Sequence, residues 1–279
     1  MLNLRTRIEE LSALTTDELH AAEGVQRAIH HFTDALNAGA VRAAEPDGAG
    51  GWRVNQWVKQ GILLMFRAGN LADCTAAGFP FFDKHTLPLR PFGLNDGVRI
   101  VPGGSAVRTG CYVAKGVICM PPMYINIGAY VDEGTMVDSH ALVGTCAQIG
   151  RRVHISAATQ IGGVLEPAGA RPVIVEDDVM LGGNCGVYEG VMIRRRAVLG
   201  SGVVLNASTA VYDAARGQIL RSSPDAPLEI PEGAVVIPGA RPLDTDFGRQ
   251  HRLSVATPVI VKYRDEKTDA RTALESALR

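Results

Sequence analysis

The 279-residue chain has no excess of charge of either sign: 28 Lys and Arg against 29 Asp and Glu leave a formal net charge of −1. A surface that reads nucleic acid or an anionic membrane is usually basic, so this balance argues against both classes while leaving a local basic patch open. Long apolar runs are also missing. None approaches the roughly 18 residues needed to span a bilayer. The first residues, MLNLRTRIEEL, alternate charge with Leu and lack a secretory h-region, so the expected location is cytoplasmic. The five cysteines (Cys74, Cys111, Cys119, Cys146 and Cys185) are odd in number and contain no C-x-x-C pair. That argues against a zinc site or disulfide framework and for small buried hydrophobes in a reducing compartment.

What is present is a period of six. Val101, Val107, Val113, Cys119, Ile125, Val131, Val137, Val143, Ile149, Ile155 and Ile161 are spaced six apart, and the series resumes at Val175 and runs to Val211. Four places further along each six the residue is usually small or β-branched, such as Ala129, Thr135, Ala141 or Val153. Six residues fit neither a helix at 3.6 nor a lone strand at 2.0, so the period describes a repeat architecture. One six makes a short strand and a corner, and three close a triangular coil with aliphatic side chains stacked inside. Eighteen sixes make six coils, a prism roughly 29 Å tall at the spacing of paired strands. The interruption at Pro167–Ile174 shifts the frame by two residues and marks a loop leaving a corner.

Residues 1–97 read as a helical domain. Thr15 with Glu18 forms a capping-box signature, and Val25, Ala28, Ile29, Phe32 and Leu36 follow at helical spacing with Gly39 as a stop. A second helix starts near Asn55 and carries Val58, Ile62, Met65 and Phe66. Residues 68–95, with Pro80, Pro88 and Pro91, read as an irregular connector. Residues 98–213 form the repeat. Residues 214–279 form a cap, with strands at Leu228–Ile237 and Val255–Tyr263 and a closing helix at Asp269–Arg279. Both ends of a repeat prism need such covers.

Longer motifs narrow the reading. INIGAYVDEGTMVDSHALVGTCAQIG (Ile125–Gly150), VHIS (Val153–Ser156) and IGGVLEP (Ile161–Pro167) resemble the core of the tetrahydrodipicolinate N-succinyltransferase family. LNAGAVRAAE (Leu36–Glu45), WRVNQWVKQGILLMFR (Trp52–Arg67) and PVIVKYRDEKTDAR (Pro258–Arg271) resemble its N-terminal domain and closing strand. The resemblance implies a mainly β fold: a left-handed parallel β-helix of hexapeptide repeats with an α-helical N-terminal domain and a small C-terminal β/α cap. The left hand comes from the resemblance alone. It also implies a homotrimer with active sites between subunits and succinyl-CoA as co-substrate. The succinyl group goes to the amino group of acyclic tetrahydrodipicolinate in lysine and diaminopimelate biosynthesis. A metal is not expected, and the histidines lack the closely spaced trio of the zinc-binding relatives. The residues themselves leave open the transfer of another acyl group, such as acetyl, and a non-catalytic assembly module.

By the same resemblance Asp138 binds the substrate amine and deprotonates it, and Arg99 grips a substrate carboxylate. Glu189 is a second catalytic candidate, because Gly186 stands where familiar members carry a glutamate. Gly162 and Gly163, with bare backbone and free N–H groups, are candidates for the wall along the acyl-pantetheine arm. Lys262 is a candidate for contact with the CoA phosphates. Arg194, Arg195 and Arg196 fill one corner either as phosphate contacts or as a solvated charge run. Arg108 is a weaker carboxylate binder, Asp132 and Glu133 read as supporting, and His140 and His154 as solvated or packing residues.

Overall fold

A computed structural model describes residues 2–75 and 80–265. The expected closing helix at Asp269–Arg279 lies outside the described residues. Two-residue strands recur along the chain and pair in parallel one coil apart, as Tyr130 does with Gln148 and Met136 with His154. They form the three faces of a prism. The first face carries Arg99, Ile118, Met136, His154 and Met180; the second carries Tyr124, Leu142, Gln160 and Gly186; the third carries Tyr112, Tyr130, Gln148 and Ile174. In each strand the second residue points inward, so Val131, Val137, Val143, Ile149, Ile155 and Ile161 are completely buried. Each such side chain contributes about 1.5–3 kcal/mol of burial.

The register differs from the sequence period at both ends. In the first coil Ile100, and not Val101, lies opposite Cys119. An extra residue is absorbed in the turn Pro102–Ser105, where Gly103 has φ 140° and Gly104 φ 90°. At the far end Val211 leaves the prism for a strand beside Ser254–Tyr263, and Ile230 takes the rung above Ile193. The chain between Leu205 and Leu228 is an excursion from the corner. Coil then continues through Ala234–Pro242, which pairs with Val198–Leu199. The earlier interruption also ends sooner than the sequence suggested: Val173 is already buried at its corner place, and Ile174 opens a strand.

The N-terminal residues form four helices: α1 (Leu2–Ser12), α2 (Thr16–Ala21), α3 (Val25–Asn37) and α4 (Gln56–Ala68). Thr15 caps α2 with the full capping box, worth about 1 kcal/mol. The apolar series does not continue that helix, because Gly24 at φ 73° breaks the chain and α3 starts afresh. All five residues of the series are buried, and Gly39 turns at φ 67°. Ala44–Pro46 and Trp52–Val54 form a hairpin around the expected turn, and a second hairpin pairs Leu71–Asp73 with Phe82–Lys84 in the segment read as irregular.

This domain covers the third face. Arg42 lies 3.5 Å over the Tyr130 ring and donates to Gln148 Oε1 at 3.0 Å, while Trp52 Nε1 donates to Glu176 Oε1 at 3.1 Å. Ile127 and Cys146, at the corner between the second and third faces, belong to the core of the helical domain. Among the described residues the helical domain does not extend over the second face, and Val204 on it is 50% exposed.

The corner between the third and first faces carries a column of charge. Successive coils place there Lys115, then Asp132 and Glu133, then Arg151 and Arg152, then Glu176, Asp177 and Asp178, then Arg194, Arg195 and Arg196, then Glu232. Neighbouring rows pair: Arg151 with Asp132, Arg152 with Asp178, and Arg194 with Glu176.

Candidate active site

Asp138 and the group Glu189, Gly162 and Gly163 fall on opposite edges of the second face, while Arg99 and Lys262 belong to the first. Asp138 stands at the corner between the first and second faces, immediately after inward Val137. It is half-buried, its Oδ1 accepts from Ser139 N at 2.7 Å, and its own N–H donates to Ile155 O. Arg99 is exposed at the start of the first face, two coils below Met136 in the same column. Arg99 and Asp138 therefore belong to one side of the prism, separated by roughly two strand spacings of about 4.8 Å.

Glu189, Gly162 and Gly163 lie across the second face, at its corner with the third. They line one cavity of about 740 Å³ with Tyr188, Glu166, Arg171, Ser222 and Ser223. Glu189 is exposed at φ 53°, and its Oε2 accepts from Ala207 N at 3.0 Å. The two carboxylate candidates are thus not brought together within one chain.

The glycine pair differs from expectation in one respect. Gly162 N–H is spent on Val187 O at 2.8 Å, as part of the coil ladder, and is not free. What the glycines supply is close approach. A Cβ at Gly163 would stand 2.7 Å from Thr145 N, and one at Gly162 would stand 2.7 Å from Tyr188 Cδ1. Side chains there would obstruct the packed corner: Gly162 lies under the Tyr188 ring and Gly163 packs against Thr145.

The missing carboxylate at position 186 has a structural counterpart. Gly186 occupies an outward place between Gln160 and Val204, and the Tyr188 ring lies across it. A Cβ at Gly186 would stand 2.5 Å from Tyr188 Cε2. Tyr188 was not singled out from the sequence, because its ring reaches back over residues whose proximity only the folded coils create.

Lys262 sits on the strand Ser254–Tyr263 beside the extended first face, opposite Val235. It is not at the cavity. Arg194 is held by Glu229 and Glu176; burial works against its charge, but those partners outweigh burial and raise its pKa. Arg196 donates to Asp265 O at 2.5 Å. Arg194 and Arg196 are thus engaged within the chain, while Arg195 is exposed and donates its backbone N–H to Glu176 Oε2 at 3.0 Å. Arg108 pairs with Asp83 at 2.5 Å, and Asp132 with Arg151, which fits a structural place for both. His140 is exposed, while His154 stands half-buried between Met136 and Met180. Among the described residues no group of His, Cys, Asp and Glu could hold a metal ion. No helix among them is long and apolar enough to cross a membrane.

Parallel coils of six, bare-backbone corners and carboxylates on the rims define a hexapeptide-repeat protein. Residues 172–207 match the model described as the hexapeptide repeat of succinyl-transferase, and residues 3–68 match the tetrahydrodipicolinate N-succinyltransferase N-terminal model. Curated relatives named 2,3,4,5-tetrahydropyridine-2,6-dicarboxylate N-succinyltransferase extend the match along the chain. One from Nitrobacter hamburgensis is 44% identical and covers 91% of this chain and 90% of its own. One from Rhodopseudomonas palustris is 42% identical with the same coverage, and one from Xylella fastidiosa is 40% identical, covering 96% and 93%. The chain belongs to this family of N-succinyltransferases and is an acyltransferase.

Proposed function

We propose that the chain transfers a succinyl group from succinyl-CoA to the amino group of acyclic tetrahydrodipicolinate, in the biosynthesis of diaminopimelate and lysine. The observation that carries this reading is the likeness to relatives of that name through the helical domain and the coils alike, at 44% identity over 91% of the chain. Succinyl-CoA supplies the acyl group as a thioester; an N–C bond forms, the C–S bond breaks, and the amine proton leaves through a base to the departing thiolate. Asp138 is that base, which keeps the attacking amine neutral. Arg99 holds a substrate carboxylate through its planar fork of donors. Gly162 and Gly163 form the wall along the acyl-pantetheine arm, and Lys262 meets the CoA phosphates.

The working form is a homotrimer of left-handed coils in the cytoplasm. The separation of Asp138 and Glu189 supports a site built between chains, since a groove between two prisms joins opposite edges of the second face. Glu189 then shares the proton transfer from the neighbouring rim. Side-by-side assays of thiol release from succinyl-CoA and acetyl-CoA, with the dicarboxylate amine as acceptor, test the reading. Release from succinyl-CoA several-fold faster than from acetyl-CoA is expected. Equal or faster use of acetyl-CoA overturns the donor assignment, and no release from either overturns the transferase reading.

A further inference from the structure

The Tyr188 ring spans a floor made by two glycines one coil apart. It stands within contact distance of the Cβ positions of both Gly162 and Gly186, so only residues without a side chain allow it to lie there. Its hydroxyl is at the Gly186 end, 3.0 Å from the Cβ position of that residue. Tyr188 is half-buried, belongs to the wall of the 740 Å³ cavity, and adjoins Glu189. Three neighbouring polar side chains have work of their own: Ser222 Oγ donates to Ala207 O, Ser223 Oγ accepts from Ala226 N, and Glu189 accepts from Ala207 N; Glu166, Arg171 and Asp225 complete the polar lining. The Tyr188 hydroxyl makes no hydrogen bond among the described residues. Among the described residues, Arg171 is the one Lys or Arg lining the cavity.

A substrate with two carboxylates brings more acceptor capacity than one guanidinium satisfies. A neutral phenol adds a directed donor without another charge. On the proposed function, we infer that Tyr188 is a substrate-binding and specificity-determining residue: its hydroxyl donates to a carboxylate of the amino-group acceptor, and the glycine floor fixes its direction. The rigid ring restricts the site to acceptors whose carboxylate reaches that hydroxyl.

The test is Tyr188→Phe, which keeps the ring on its floor and removes the hydroxyl. Initial rates are measured against the acceptor and against succinyl-CoA separately, with the thermal midpoint alongside. The expected result is a KM for the acceptor raised roughly tenfold or more, as for a lost hydrogen bond to a charged group. The KM for succinyl-CoA and the midpoint stay near the parent values. Gly186→Ala, which displaces the ring from its floor, is expected to raise the same KM even where it lowers the midpoint. An unchanged acceptor KM in Tyr188→Phe overturns the inference. So does a change confined to succinyl-CoA, or an equal change in both constants with a lowered midpoint. Absence of succinyl transfer by the parent protein strikes the proposed function instead; calorimetric titration of parent and Tyr188→Phe with the acceptor alone then decides the inference, and equal affinities overturn it.

Discussion

Lys59 Nζ donates to the Ala170 carbonyl at 2.6 Å, joining α4 to the loop that walls the cavity. The side chain is fully buried, and burial pushes its pKa down. A buried ammonium tied to one carbonyl holds the loop against the helical domain at some cost in desolvation. Lys59→Met keeps the length and removes the donor, leaving Ala170 O unsatisfied. A loss of about 1–3 kcal/mol in urea unfolding is expected. Amide exchange of residues 164–171 should quicken more than that of the coil strands. Unchanged exchange there refutes the tether.

Asp138→Asn and Glu189→Gln test the site across chains. Asp138→Asn should lower turnover by about two orders of magnitude or more, in the range of general-base catalysis, with assembly intact. Glu189→Gln should lower it as well. Co-expressing the two variants should restore about a quarter of the parent rate, because one interface in four joins an intact Asp138 to an intact Glu189. Mixed protein as inactive as either variant alone argues that both carboxylates act from one chain.

Asp213 gives the fold an acid-sensitive joint. Burial works to raise its pKa, but Tyr263 Oη at 2.6 Å, Gln218 Nε2 at 3.2 Å and Arg216 N at 3.0 Å outweigh it and hold the carboxyl below its usual range. Burial, joined by the same contact, lifts the Tyr263 pKa to about 12. The stabilisation is complete above the unfolded carboxyl's pKa of ~3.9 and is lost as pH falls through the folded value. Asp213→Asn should therefore destabilise the protein near neutral pH by about 1–3 kcal/mol and converge with the parent in acid. Urea midpoints across that range measure it, and a pH-independent difference contradicts it.

The thiols should divide sharply. Cys111, Cys119 and Cys146 are buried with pKa values pushed up to about 12, and Cys185 to about 11, each chiefly by desolvation. Cys74 is exposed. A thiol reagent at mildly alkaline pH should label Cys74 alone in the native protein and the other four only after denaturation. Rapid native labelling of a coil cysteine would show that the coils open.

The coils were legible because their information is local: each six contains its own inward residue, its own strand and its own tight corner. Exceptions came where distant pairing decides. Nothing near Val101 reveals that Ile100 takes the rung, since the inserted residue is hidden among glycines. Val211 fits the period as well as Ile230, and only the return of the chain after the excursion selects between them. The N-terminal capping box was readable, whereas nothing in the apolar spacing marks the break at Gly24 between the box and the series that follows. Asp138, Glu189, Arg99 and the glycine pair could be put forward as candidates from motifs, but the division of Asp138 and Glu189 between two rims required the register. Tyr188 and Lys59 act through reach, the one across a coil and the other across a domain contact.

The charged column at the corner between the third and first faces solves a problem the interior cannot. A core of Val and Ile accepts almost any coil against any other, so the rungs contain no count of how many coils lie between them. The column restores the count through parity. Skipping one coil during folding would lay the acidic row of Asp132 against that of Glu176, or the basic row of Arg151 against that of Arg194. Each native contact of rows is worth only about 0.2–1 kcal/mol, yet an error exchanges attraction for repulsion along the whole edge. The corner works as a ratchet index: it adds little to the stability of the finished prism and marks which turn must follow which.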